Sequence, residues 1–308
     1  EQVEKDEQRK ITRRRLLRLG TGVVILPFVA ALGYANREAL FETTKGELSG
    51  EIEETKAYLA KWKAEIKGAF GILPEEYFPK IADLSIAFFS RQMGYDRRIF
   101  EGKIALLDSG SYFKKIKEIT ECRNEGTIID DPKEIPMFTE LTGDRIYVNT
   151  QFKRSYNRLH ETFGTFLHEL HHGAPPLRWD EEEKAYTRGL IILGKSGSQT
   201  TSGRECFIGY GRLEEEEMVV QDSTKRLLLL IGLSSYDSPS AYLQAYRRDV
   251  IDALYGGDHR ELLAYQQQSR LGDFYRSIGS KLGESDREKQ GARGIRFMES
   301  LLEGKTRT

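Results

Sequence analysis

From Gly46 to Phe70 apolar residues recur at Ile52, Leu59, Trp62, Ile66 and Phe70 with Lys and Glu between them, which predicts an amphipathic helix. Pro79 opens a second helical pattern through Ile81, Leu84, Phe88 and Phe89. Residues 103–122 read as helix again, and 123–135 as a loop with Gly126 and an Asp130-Asp131-Pro132 breaker. The period then changes. Met137–Leu141 and Arg145–Asn149 alternate as two short strands around Thr142-Gly143-Asp144. A helix from about Ser155 to His172 follows, with Leu159, Phe163, Phe166, Leu167 and Leu170 as its stripe. Segment 174–212 combines an apolar run, Leu190 to Leu193, with a Gly/Ser/Thr-rich stretch at 194–203, and reads as a strand and a mobile connection. Leu213–Ile231 and Pro239–Tyr255 read as helices, the latter with Ser238 as N-cap, and Asp258 with Glu261 starts another. From Gly283 the chain is charged and is expected to pack loosely or to end in one short helix. The pattern predicts a predominantly helical α+β protein with a small sheet beside one central helix.

Composition narrows the function classes. A chain of 308 residues with 39% hydrophobic and 31% charged residues can bury a sizeable core. Its formal net charge of −1 gives no overall attraction to nucleic acid, so no such partner is expected. Two cysteines, Cys122 and Cys206, are too few for a disulfide scaffold or thiolate cluster, though they could pair once in an oxidising compartment.

Residues 1–36 read as an address. Thr12-Arg13-Arg14-Arg15-Leu16-Leu17-Arg18 precedes 18 uncharged residues, Leu19–Asn36, that exit through Gly33-Tyr34-Ala35. The segment is an export signal or a membrane anchor. Eighteen residues is the lower limit for spanning, and Pro27 with Gly20, Gly22 and Gly33 weakens the helix. The paired arginines after a hydroxyl residue resemble a twin-arginine signal, which implies the periplasmic or extracellular face, with possible membrane association through residues 16–36.

Chemistry concentrates at His168-Glu169-Leu170-His171-His172, an HExxH string. Residues i and i+4 of a helix lie one turn apart on one face, so His168 and His172 can both reach a tetrahedral Zn²⁺ at about 2.0–2.1 Å. Glu169 between them then stands beside the metal-bound water as general base. Gly173 and Pro175-Pro176 stop the helix just after the motif. His171 faces away from the pair and is expected at the surface or behind the ligands.

A catalytic zinc takes a third protein ligand. Pro175 and Arg178 stand where metzincins carry Gly and His, which excludes that class. Gly209-Tyr210-Gly211-Arg212-Leu213-Glu214-Glu215-Glu216-Glu217-Met218-Val219 resembles the segment in which bacterial gluzincins, zinc peptidases of the zincin superfamily, carry a ligand Glu. The resemblance assigns Glu216; Glu217 and Val220 depart from the usual small residue and acid. On helical spacing Leu213, Glu216 or Glu217, Val220, Thr224, Leu227 and Ile231 share a core-facing stripe, whereas Glu214 and Glu215 fall on a solvated face. Glu217 and Asp180 remain alternatives as ligand, and Asp222 is a candidate to orient a ligand imidazole.

The resemblance implies a zincin-like catalytic domain over 136–283, between a helical region at 37–135 and a charged tail at 284–308. It implies a metallopeptidase acting on a peptide or protein substrate, with Arg145–Asn149 as edge strand for the peptide and Tyr210 or Tyr246 assisting the oxyanion. The alternatives are a zinc hydrolase of a non-peptide amide and a membrane-associated binding protein with a structural or vestigial zinc site. Gly189–Ser196 also satisfies the phosphate-loop expression GxxxxGK[ST], but its loop positions are apolar and strand-like, so it is set aside. Neither cysteine lies in a cysteine-protease signature. Tyr242, Tyr246, Tyr255, Phe274 and Tyr275 lie in helical patterns and are expected in the core.

Overall fold

Alternating amphipathic helices and short strands build an α+β protein that is mostly helical. The structure, a computed structural model, describes residues 50–66, 73–121, 135–152, 158–180, 185–200, 203, 205–210, 215, 220–233, 250–251, 253–256 and 260–302. The address segment therefore lies outside the described residues. Among those described, no helix is long and apolar enough to cross a membrane.

Helix α1 (50–66) buries Leu59, Trp62 and Ile66, and α2 (Tyr77–Met93) buries Ile81, Phe88 and Phe89, as their spacing requires. Residues 103–122, expected to be one helix, divide instead. Ile104–Leu107 is strand β1 and Ser109–Glu121 is α3. Asp108 makes the break, since its carboxylate accepts from the Ser111 N–H at 2.9 Å at the turn into α3. Strands β2 (Met137–Thr139) and β3 (Ile146–Asn149) form the expected hairpin, with Gly143 at φ 74° in its turn. β1 pairs in parallel with the other side of β3, giving the order β1-β3-β2. Arg145–Asn149 thus lies within the sheet and not at its edge, because β1 supplies a partner the sequence had hidden in a helical pattern.

Helix α4 (Arg158–Gly173) lies against this sheet and α2, with Leu159, Phe163, Phe166, Leu167 and Leu170 buried. Each such burial contributes about 1.5–3 kcal/mol. Segment 178–210 is not one strand and a mobile connection. It forms an antiparallel meander, β4 (Arg178–Asp180), β5 (Ala185–Arg188), β6 (Ile191–Gln199) and β7 (Glu205–Tyr210). The Gly/Ser-rich stretch is held as strand because β7 pairs along it, Gly194 with Ile208 and Lys195 with Phe207. From Ile191 on, the phosphate-loop match lies in this strand, where Ile192 and Leu193 pair on both sides, so it does not form a loop around a phosphate.

The carboxyl-terminal part is helical: α5 (Gln221–Leu230), α6 (Arg260–Gln267), α7 (Leu271–Lys281) and α8 (Arg287–Leu302). The described part of the charged tail carries a 16-residue helix, longer than the short one expected. It packs closely on α7, with Met298 and Leu301 buried beside Phe274, Tyr275 and Ile278. Tyr255, Phe274 and Tyr275 are core residues as expected; Tyr242 and Tyr246 lie outside the described residues.

Candidate functional site

The last two turns of α4 gather the titratable side chains of the motif. His168, Glu169 and His172 are 8%, 8% and 7% exposed, and the two imidazole centroids are 5.1 Å apart, nearly edge to face. The expected one-turn juxtaposition is present. The helix stops at Gly173, though not in the left-handed conformation usual for a terminal glycine. Its bare Cα instead admits Ile146 of β3, since a Cβ would lie 3.1 Å from that side chain. Lys103 donates to the Gly173 carbonyl at 2.8 Å, setting a cation at the negative end of the helix dipole, and burial holds its ammonium below the ordinary lysine range.

Glu169 is fixed from the sheet. The Thr139 hydroxyl at the end of β2 donates to Glu169 Oε2 at 2.7 Å, and also lies 3.1 Å from the Glu169 carbonyl oxygen. Tyr112, fully buried, donates to the Ile135 carbonyl at 2.9 Å. Burial pushes that phenol well above its ordinary range, and the Glu169 charge adds to the shift. Next to Thr139, buried Glu140 accepts from the Tyr147 hydroxyl at 2.8 Å.

Glu215 overturns its sequence reading. Expected on the solvated face, it is fully buried, and its Oε1 lies 3.0 Å from His172 Nδ1. A carboxylate oxygen accepts, so Nδ1–H donates, which fixes the ring and, in a neutral imidazole, places the lone pair on Nε2. Glu215 Oε2 accepts from the Leu190 N–H at 2.8 Å, and the Arg188 guanidinium, also buried, stands 3.7 Å from Oε1. Arg188 Nε donates to the Leu141 carbonyl at 2.7 Å. Two glycines make room for this cluster. A Cβ at Gly189 (φ 58°) would lie 2.2 Å from Glu215 Oε2, and one at Gly143 would lie 2.6 Å from Arg188 Cδ. Both glycines also occupy the left-handed region, where other residues are strained.

Glu215 points inward through a local turn as well as through these distant partners. It and Val220 lie in π-helical turns, which bring residues five apart onto one face, and Val220 is buried. A count at 3.6 residues per turn back from Val220 selects Glu216 or Glu217 instead. His171, expected at the surface or behind the ligands, is buried with its ring edge-on to Phe89 at 4.6 Å. Burial first, and the flanking imidazoles second, hold it well below the ordinary histidine range.

Glu214, Glu216, Glu217 and Tyr246 lie outside the described residues, and of Asp180, Tyr210 and Asp222 only the backbone is described. Among the described residues no group of three or more His, Cys, Asp or Glu side chains stands ready to hold a metal. His168 and His172 fit two positions of a zinc site by donor type and by the held Nδ1 of His172. Sequence reasoning missed Thr139, Arg188 and Glu215. The four-glutamate run held the only signal for Glu215, and spacing at 3.6 residues per turn did not select it. The chain matches no family model, no curated protein and no solved structure.

Proposed function

We propose that this chain is an exported zinc metallopeptidase of zincin-like architecture. The observation that carries the reading is the buried Glu215–His172 hydrogen bond, which orients that imidazole one helical turn from His168. Glu216 is the proposed third ligand, from the gluzincin resemblance. Zinc bound there supplies an acidified water and a charge beside the substrate carbonyl. Glu169 would serve as the base and then as proton donor to the departing amine, and Thr139 holds its carboxylate in place. With Arg145–Asn149 inside the sheet, β2 is the strand of that sheet next to Glu169, and an extended peptide pairing along its edge would bring its carbonyl past that carboxylate. Cys206 is disulfide-bonded, which fits an oxidising compartment.

Zinc analysis and peptide hydrolysis by wild type, Glu169→Gln and His172→Ala test the proposal. Glu169→Gln keeps about one zinc and loses turnover by about 10²–10⁴-fold, whereas His172→Ala loses tight zinc binding. Zinc-free wild type, or full turnover in Glu169→Gln, would overturn the reading. Loss of zinc in Glu216→Ala supports its ligand role, and retention refutes it.

A further inference from the structure

A second feature lies away from the histidines, in the carboxyl-terminal helices. A cleft of about 380 Å³ opens between α6, α7 and the start of α8. Four cationic side chains line it, Arg270, Arg276, Lys281 and Arg287, against two carboxylates, Glu261 and Asp273. Glu261 is taken up by its own wall, accepting from Tyr265 and Ser277 at 2.7 Å each and facing Lys281 at 3.3 Å. Asp273 is shared between Arg270 and Arg276. The wall therefore keeps an excess of two positive charges. Arg287, exposed at its rim, forms no ion pair among the described residues. The Ser280 side chain lines the same cleft and can add a neutral donor.

We propose that this cleft binds a phosphate or phosphomonoester dianion. An excess of two charges matches a dianion. Guanidinium forks suit tetrahedral oxyanions; Arg276 gives its Nε–Nη2 edge to Asp273, which orients the group and leaves its Nη1, and Arg287 carries a fork outside any ion pair among the described residues. One wall of the cleft is tied to the catalytic helix. Adjoining Tyr265 and Arg270, Gln266 donates to the His171 carbonyl at 3.2 Å, and the Ser269 hydroxyl accepts from the Gly189 N–H at 2.9 Å. The site itself stands independently of the peptidase proposal.

Calorimetric titration of the full chain with inorganic phosphate and with glycerol phosphate tests it, beside Arg287→Gln and Arg293→Gln. Both arginines are exposed on α8, but only Arg287 lines the cleft. Arg287→Gln weakens binding about 10- to 100-fold, the loss of a charge-assisted hydrogen bond, whereas Arg293→Gln changes it less than about twofold. Tighter binding of glycerol phosphate identifies an ester as the ligand, and tighter binding of inorganic phosphate identifies the free ion. Absence of binding by wild type, or equal weakening in both variants, overturns the proposal.

Discussion

Helix α4 and the α7–α8 pair both bury apolar stripes, but they close their interfaces differently. On α4 the turns that bury Leu167 and Leu170 also bury His168, Glu169, His171 and His172, and each catalytic candidate needs a partner from elsewhere in the chain. Thr139 comes from β2, Glu215 from the π turn, and Arg188 from β5. At α7–α8 the contact is backbone against backbone. A Cβ on Gly279 would lie 2.0 Å from the Gln290 carbonyl oxygen, and one on Gly294 would lie 1.9 Å from that of Tyr275. The first interface depends on satisfied charge, so it is sensitive to losing a partner. The second depends on close approach, so it is sensitive to gaining an atom.

The largest expected effect is at Glu215. Glu215→Ala removes a carboxylate partner from buried Arg188 and releases the His172 ring, costing about 3–5 kcal/mol in urea unfolding. A change under about 1 kcal/mol would place Glu215 in water and dissolve the contrast. The next effect comes from the glycines. Gly294→Ala forces α7 and α8 apart and costs about 1–3 kcal/mol while leaving zinc binding unchanged. Gly189→Ala costs a similar amount through its left-handed backbone, and it also weakens zinc binding by pushing Glu215 off His172. Equal effects of the two on zinc affinity would show that the regions are not separable.

The smallest effect is a slope with pH. Burial holds His171 neutral, with its folded-state pKa below the unfolded value of about 6.5. Between those values the unfolded chain binds more protons, so stability falls as pH drops below about 6.5. Half-buried His160, also held below its ordinary value, acts in the same direction. With chelator present to remove any metal contribution, the urea midpoint should fall between pH 7 and pH 5. His171→Leu, which can still pack on Phe89, should flatten that slope. An unchanged slope would show that His171 does not carry it.

Much of the site is written locally. The apolar stripe from Leu159 to Leu170, the one-turn spacing of His168 and His172, and the stop after Gly173 all follow from helical period and backbone preference. The Met137–Asn149 hairpin is local for the same reason, since its turn glycine and alternation lie within thirteen consecutive residues. Tertiary structure decided the rest. Ile104–Leu107 is a strand because β3 pairs with it, and that pairing moves Arg145–Asn149 from the edge of the sheet to its middle. Residues 194–199 extend β6 because β7 lies alongside, despite glycines and serines that favour a loop. Glu215 faces inward because a π turn shifts the helical count and because Leu190 N–H, Arg188 and His172 give a buried carboxylate its partners. Periodicity along a chain specifies which face of an element is apolar. Which strand becomes an edge, and which glutamate can bear burial, depends on groups distant in sequence that only the folded chain brings within hydrogen-bonding distance.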